Sequence, residues 1–146
     1  MTQLTTATGR RWAAVVAATA LTAVLVGCGG SSSSPPKSLS LSGEKVPLTE
    51  VTGAYSQMCA VAKQAQTDPS GAATSFATAE NGLEVLATVL NKDHSQESQR
   101  LLAAIATYIQ DIGTKPPVAT SGQAATNLVA TAKQGLVALK VTPPAC

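Results

Sequence analysis

The sequence predicts an all-α fold, a small antiparallel four-helix bundle over residues 47–146 that is closed by a disulfide. Apolar residues recur at spacings of three and four in four successive segments, which indicates amphipathic helices. Only short polar or proline-containing stretches separate these segments, so consecutive helices are expected to pack antiparallel. Two cysteines, Cys59 and Cys146, fall within the same region.

The first two helices are predicted over residues 49–66 and 69–90. Thr49 stands where an N-cap is expected, and Asp68-Pro69 ends the first segment. The apolar stripe of the first helix consists of Val51, Tyr55, Met58, Ala62 and Ala65. That of the second consists of Ala72, Phe76, Ala79, Leu83, Leu86 and Leu90. Gly82 interrupts the second helix, at a cost of about 1 kcal/mol relative to Ala.

The last two helices are predicted over residues 95–112 and 121–139. Asp93 or Ser95 can cap the third helix, Gly113 occupies its expected C′ position, and Thr120 with Gln123 resembles a capping box. The apolar face of the third helix consists of Leu101, Leu102, Ile105, Tyr108, Ile109 and Ile112. That of the fourth consists of Ala125, Leu128, Val129, Ala132, Leu136 and Leu139. Strands are not expected, because no long stretch alternates with period two.

The amino terminus has the order of charge and hydropathy that is typical of a secretory signal peptide, predicted over residues 1–27. A polar stretch ends in Arg10-Arg11, and an apolar run of 15 residues, 12–26, follows it. A retained transmembrane helix is the alternative, but it needs about 20 apolar residues. Export by the general secretory route is favoured over the twin-arginine route, because Ala13-Ala14 stands where the latter signal prefers bulky apolar residues.

The apolar run ends in Leu25-Val26-Gly27-Cys28. This tetrapeptide resembles the lipobox of bacterial lipoproteins, and the serine-rich stretch after it resembles many small actinobacterial lipoproteins. The resemblance implies that the Cys28 thiol receives a diacylglycerol, that cleavage precedes Cys28, and that the chain is held on the extracytoplasmic face of the cell membrane. Two acyl chains are enough for stable anchoring. The rest of the chain resembles no characterised family.

Residues 28–46 are predicted to form the lipidated cysteine and a flexible tether. The stretch is rich in Ser and Gly, contains Pro35-Pro36, and has too few apolar residues to fold. The tether was expected to hold the helical domain just clear of the lipid headgroups.

The mature chain carries no net charge. Of the ten Lys and Arg residues, Arg10 and Arg11 precede Cys28, which leaves eight against eight Asp and Glu residues. Nucleic-acid binding depends on neutralising phosphates with a basic surface, so no nucleic-acid partner is expected.

The sequence presents no recognisable catalytic, metal or cofactor site. His94 is the single histidine, in a polar loop without a Gly-x-Ser-x-Gly elbow or a second ligand at metal spacing. Glu80 and Glu84 share a helical face, which is more typical of a solvated surface than of acid–base chemistry. Tyr55, Phe76 and Tyr108 fall on core stripes, so packing is the better interpretation than ligand stacking.

We therefore expect a non-enzymatic interaction or structural module of the cell envelope, with a possible protein partner. A carrier of a small ligand or lipid between helices is the alternative, and it requires an apolar pocket of roughly 300 Å³ or more. An envelope hydrolase is a third hypothesis and would depend on His94. A prophage-encoded surface lipoprotein is neither supported nor excluded.

Cys59 and Cys146 form an even pair in an exported domain, which predicts a disulfide, with two free thiols as the alternative. The bond would close a loop of about 87 residues and contribute roughly 4–5 kcal/mol in the chain-entropy model. Alkylation under denaturing, non-reducing conditions should therefore label neither cysteine, and prior reduction should expose both. Full labelling of both without reduction would contradict the pairing.

Overall fold

The computed structural model describes residues 38–41, 43–117 and 119–146. The described residues belong to one compact unit. Its four helices are α1 (Leu48–Ala65), α2 (Pro69–Asn91), α3 (Ser95–Ile112) and α4 (Ser121–Ala138). A short antiparallel hairpin precedes them, formed by β1 (Ser38–Leu41) and β2 (Glu44–Pro47). The all-α bundle is confirmed, and the bounds of α3 are those that the apolar spacing predicts.

The helices run alternately up and down, and α4 returns to pack against α1. At one end, the side-chain amide of Gln66, just after α1, donates to the carbonyl of Gly122 in the first turn of α4 at 3.1 Å. At the other end, the buried Ser98 hydroxyl in the first turn of α3 donates to the carbonyl of Ala87 in α2 at 2.7 Å. These bonds fix which helix termini share an end of the bundle.

The hairpin corrects the predicted boundary at residue 47, because part of the predicted tether belongs to the domain. Ser38 pairs with Pro47 and Leu41 with Glu44, and the turn contains Gly43 at φ 94°. Leu39 and Val46 are directly paired and both join the hydrophobic core. Two buried apolar residues on one face of the hairpin are therefore enough to hold it in the fold, because the helices pack against that face. The tether can extend only as far as residue 37.

Several predicted helix caps are wrong. Pro47 rather than Thr49 precedes α1, and Thr120 makes no side-chain cap bond at α4. The N-cap of α3 is His94, between the two predicted candidates. Asp68, which was expected only to end α1, is the N-cap of α2, because its carboxylate accepts the Gly71 amide at 2.9 Å.

The C-terminal end of α4 closes with a Schellman motif that carries lysine at the position where glycine is usual. Lys140 has φ 59°, its amide donates to the Val137 carbonyl at 2.9 Å, and the Val141 amide donates to the Leu136 carbonyl at 2.9 Å. Val141 is buried, which supplies the apolar contact that accompanies this motif. Gly113, predicted to fill such a position after α3, instead has φ −69°.

The core is built mainly from aliphatic and small side chains, as the composition requires. Phe76 and Tyr108 meet edge to face, with ring centroids 4.8 Å apart and an interplanar angle of 85°. The predicted face of α3 is too wide, since Leu102 is 47% exposed and Ile109 is 39% exposed. Both residues lie beside the buried stripe formed by Leu101, Ile105 and Tyr108.

Small residues bring the helices into close contact. A Cβ atom built on Gly82 in α2 would collide with the Cβ of Ala54 in α1. A Cβ on Gly135 in α4 would lie 2.7 Å from Cδ1 of Leu90 in α2. Glycine is therefore required at position 82 by the close approach of α2 to α1, despite its low helix propensity, whereas at position 135 the end of the Leu90 side chain would have to move.

We expect Gly82→Ala to lower the free energy of unfolding and Gly53→Ala to raise it. Gly53 lies in α1 with nothing within 4 Å of its Cβ position, so the gain in helix propensity, up to about 1 kcal/mol, is unopposed. At Gly82 the same gain is outweighed by overpacking, typically about 1–3 kcal/mol. Urea unfolding of the oxidised protein measures both variants, and equal stabilisation by both would contradict the close contact.

Candidate functional site

The predicted pairing of Cys59 with Cys146 is present. Their Cα atoms are 5.4 Å apart and the bond spans 87 residues. Cys59 is buried on α1, whereas Cys146 is exposed. The Tyr55 hydroxyl, one turn earlier on α1, donates to Cys146 Sγ at 3.3 Å, since a disulfide sulfur has no hydrogen to give. The bond holds the segment after α4 against α1.

Cys28 and the predicted leader lie outside the described residues, so the lipidation site stays a prediction. Among the described helices, none combines the length and the hydropathy that a membrane-spanning segment requires.

His94 lies half-buried at the start of α3, where its backbone takes part in the helix and its side chain does not cap it. Its amide donates to the Leu90 carbonyl at 2.7 Å, and its carbonyl accepts the Ser98 amide at 3.0 Å. Within the described part of the chain, no group of three or more His, Cys, Asp or Glu residues is arranged to hold a metal ion. His94 thus stands at the N-cap of α3, close to the helix start where the sequence predicts it.

The predicted carboxylate pair lies on the outer surface of α2. Glu84 is exposed and Glu80 is half-buried, and neither lines the two grooves on the α3–α4 seam described below.

Two buried hydroxyls lack a hydrogen-bond partner among the described residues, those of Tyr108 and Ser121. Both side chains are fully buried, Tyr108 near the end of α3 and Ser121 at the start of α4. Burial raises the pKa of Tyr108 above its ordinary value of 10.0, because the phenolate would be deprived of solvent. Tyr55 and Phe76 are also buried, so all three aromatic residues pack in the core, as predicted.

Two grooves lie on the seam between α3 and α4. One, of about 410 Å³, includes Ala103, Ala104 and Ala124 and ends near Asp111, whose carboxylate accepts the Thr120 hydroxyl at 3.0 Å. The other, of about 490 Å³, lies where α3 begins and α4 ends. It is lined by Glu97, Arg100, Lys133, Gln134, Val137 and Ala138. Both grooves are open to solvent along the helix surface.

Among the residues that the structure describes, Val137 is the most exposed of the large apolar ones, at 58%. The stripe predicted for the fourth helix runs through Leu136 and Leu139 and leaves Val137 out. The position of Val137 outside the predicted apolar stripe could thus have indicated an exposed apolar side chain here. The sequence does not reveal that Arg100 lines the same groove as Val137.

Comparisons with known proteins add no assignment: no protein-family model matches the chain, and no match was found among curated proteins or solved structures.

We expect Tyr108→Phe to raise the free energy of unfolding and Tyr55→Phe to lower it. The first variant removes a buried hydroxyl without a partner, a group that costs about 1–3 kcal/mol. The second loses the bond to Cys146 Sγ, worth about 0.5–1.5 kcal/mol. Denaturant unfolding at neutral pH measures both, and a loss of stability in Tyr108→Phe would indicate a partner for this hydroxyl.

The same pair of variants has a signature at alkaline pH. Because the pKa of Tyr108 is raised on folding, the folded state keeps the phenol proton to a higher pH than the unfolded chain does. This titration therefore leaves the stability unchanged below pH 10.0 and lowers it as the pH rises through the folded-state pKa. The alkaline decline in stability should therefore be shallower in Tyr108→Phe than in Tyr55→Phe.

Proposed function

We propose that the chain is a bacterial lipoprotein whose helical domain works outside the cytoplasmic membrane as a non-enzymatic interaction or structural module. The observation that carries this proposal is the tetrapeptide Leu25-Val26-Gly27-Cys28 at the end of a short apolar run. A charged start, an apolar stretch and a modifiable cysteine follow one another in the order that lipoprotein processing needs.

The disulfide supports the extracytoplasmic location independently of that motif. Disulfides form and persist in oxidising compartments and are rare in the cytosol. The bond between Cys59 and Cys146 links α1 to the end of the domain, so it is part of the fold rather than an isolated surface feature. A domain stabilised in this way is suited to the cell envelope.

The packing supports an interaction module over a small-ligand carrier. The contact of Gly82 with Ala54 packs α2 closely on α1, and that of Gly135 with Leu90 packs α4 closely on α2. The two grooves on the α3–α4 seam lie on the outside of the bundle and are open to solvent. A surface of this kind suits contact with another large surface better than enclosure of a small molecule.

We expect the full chain, produced in a bacterial host that processes lipoproteins, to begin at Cys28 and to carry diacylglycerol there. Intact-mass spectrometry of the detergent-extracted membrane fraction measures this. Cys28→Ser should remove the lipid and the membrane association, whereas Cys146→Ser should keep both. An intact leader, or an unacylated Cys28, would contradict the proposal.

Cross-linking in the same cells tests the interaction role. The acylated chain should form a reproducible cross-linked product with one envelope protein, and Cys28→Ser should reduce that product, because anchoring concentrates the domain at the membrane. Absence of any reproducible product would count against an interaction module.

A further inference from the structure

The tether enters the bundle at one particular end, which we call the hairpin end. It is the end at which α1 and α3 begin, α2 and α4 finish, and the hairpin packs. Ser38, the first residue of the hairpin, pairs with Pro47 immediately before α1. The turn residue Gly43 lies with Asn91 and Lys92 at the end of α2, so the whole hairpin belongs to this end.

The length of chain between Cys28 and Ser38 limits how the domain can be oriented on a membrane. The hairpin leaves ten Cα–Cα steps between these residues, which span at most about 35 Å in any conformation. An 18-residue helix such as α4 is about 27 Å long. With the hairpin end pointing away from the bilayer, the tether would have to be almost fully extended, which is entropically unfavourable. The hairpin end therefore faces an anchoring membrane.

An exposed apolar side chain with surrounding cations lies at this end. Val137 is in the last turn of α4, and it lines a groove with Lys133 one turn earlier and Arg100 on α3. Lys140 follows closely, since its amide is bonded to the Val137 carbonyl. Glu97 is the one carboxylate among the residues that line this groove, so the groove beside Val137 carries two cations and one anion, with the exposed Lys140 just beyond the end of α4.

We propose that the surface around Val137, defined by Arg100, Lys133, Val137 and Lys140, docks on the anionic phospholipid surface to which Cys28 anchors the chain. Val137 inserts among the headgroups while the three cations bind lipid phosphates. An apolar residue ringed by basic side chains is the pattern with which proteins bind membrane interfaces. This inference rests on the proposed function, because lipid on Cys28 is what would bring the domain to the membrane in the cell. The docking itself can be measured with a synthetic lipid attached to Cys28.

The other carboxylates of the hairpin end are consistent with this geometry. Glu44 is on the hairpin, Glu50 on the first turn of α1 and Asp93 in the loop before α3. None of the three lines the groove that holds Val137. The domain is thus expected to rest on the side of the hairpin end where α3 and α4 meet, rather than flat on the whole end.

The test uses the chain from Cys28 onward, which retains every residue that the structure describes. With Cys59 and Cys146 joined, Cys28 supplies the one free thiol for coupling to a maleimide lipid in vesicles. The single tryptophan of the full sequence, Trp12, lies before Cys28, so an introduced tryptophan reports on its own position. Val137→Trp is the probe variant, and Gln110→Trp, exposed near the opposite end on α3, is the matched control.

On vesicles containing anionic phospholipid, the tryptophan of the V137W variant should shift to shorter emission wavelength and be quenched by brominated acyl chains. That of Q110W should do neither. Unchanged V137W emission after coupling, or equal quenching of the two variants, would overturn the proposal. A shift in V137W that depends on protein concentration without vesicles would overturn it in favour of a protein partner.

Charge is tested by adding R100Q and K133Q to the V137W probe. The two substitutions should lower the ratio of lipid-contacting to free domain roughly thirtyfold, at about fivefold per charge. The same loss should follow from zwitterionic vesicles or high salt. If the double substitution, zwitterionic vesicles and high salt all left the quenching unchanged, the proposed role of the cations would be overturned. An acylated Cys28 combined with an unshifted V137W would refute the docking surface while leaving the anchoring intact.

Discussion

The shortage of large side chains is the constraint on which the rest of this structure depends. With three aromatic residues in the described bundle, the core gains its packing density by bringing helices close together. The contact between Gly82 and Ala54 is the clearest example, because even one methyl group more would not fit there. The edge-to-face pair of Phe76 and Tyr108 fills the space where α2 and α3 meet. The disulfide between Cys59 and Cys146 adds a covalent restraint to this thin core.

The helices were predictable, with bounds correct to within one residue, because their apolar periodicity is strong, whereas the side chains that cap them were not. Thr49 and Thr120 have suitable side chains for caps, but the chain enters α1 from a strand and Thr120 is bonded to Asp111 instead. The left-handed position after α4 carries Lys140, a residue that gives no sequence signal for a Schellman motif. Several neighbouring residues can have side chains suitable for capping a helix, and tertiary contacts determine which of them does so.

The hairpin and the exposed part of α3 escaped prediction for related reasons. Leu39 and Val46 are isolated apolar residues in a polar stretch, and only the helices beneath them make their burial possible. Leu102 and Ile109 continue the apolar pattern of α3, yet α3 has too few neighbours to cover so wide a face. The disulfide was predictable from cysteine parity alone, whereas the grouping of Arg100 with Val137 depends on how α3 and α4 pack.

The hairpin also determines how the domain would respond to a pulling force applied at its amino-terminal end. A force at Ser38 would separate the strand pairs one after another, beginning with the pair of Ser38 and Pro47, before it reached α1. The first helix itself is covalently fastened at Cys59 to Cys146, so peeling it away would require breaking a bond or dragging the final segment along. Tension applied ahead of Ser38 would therefore be absorbed by two short strands while the four helices stayed assembled.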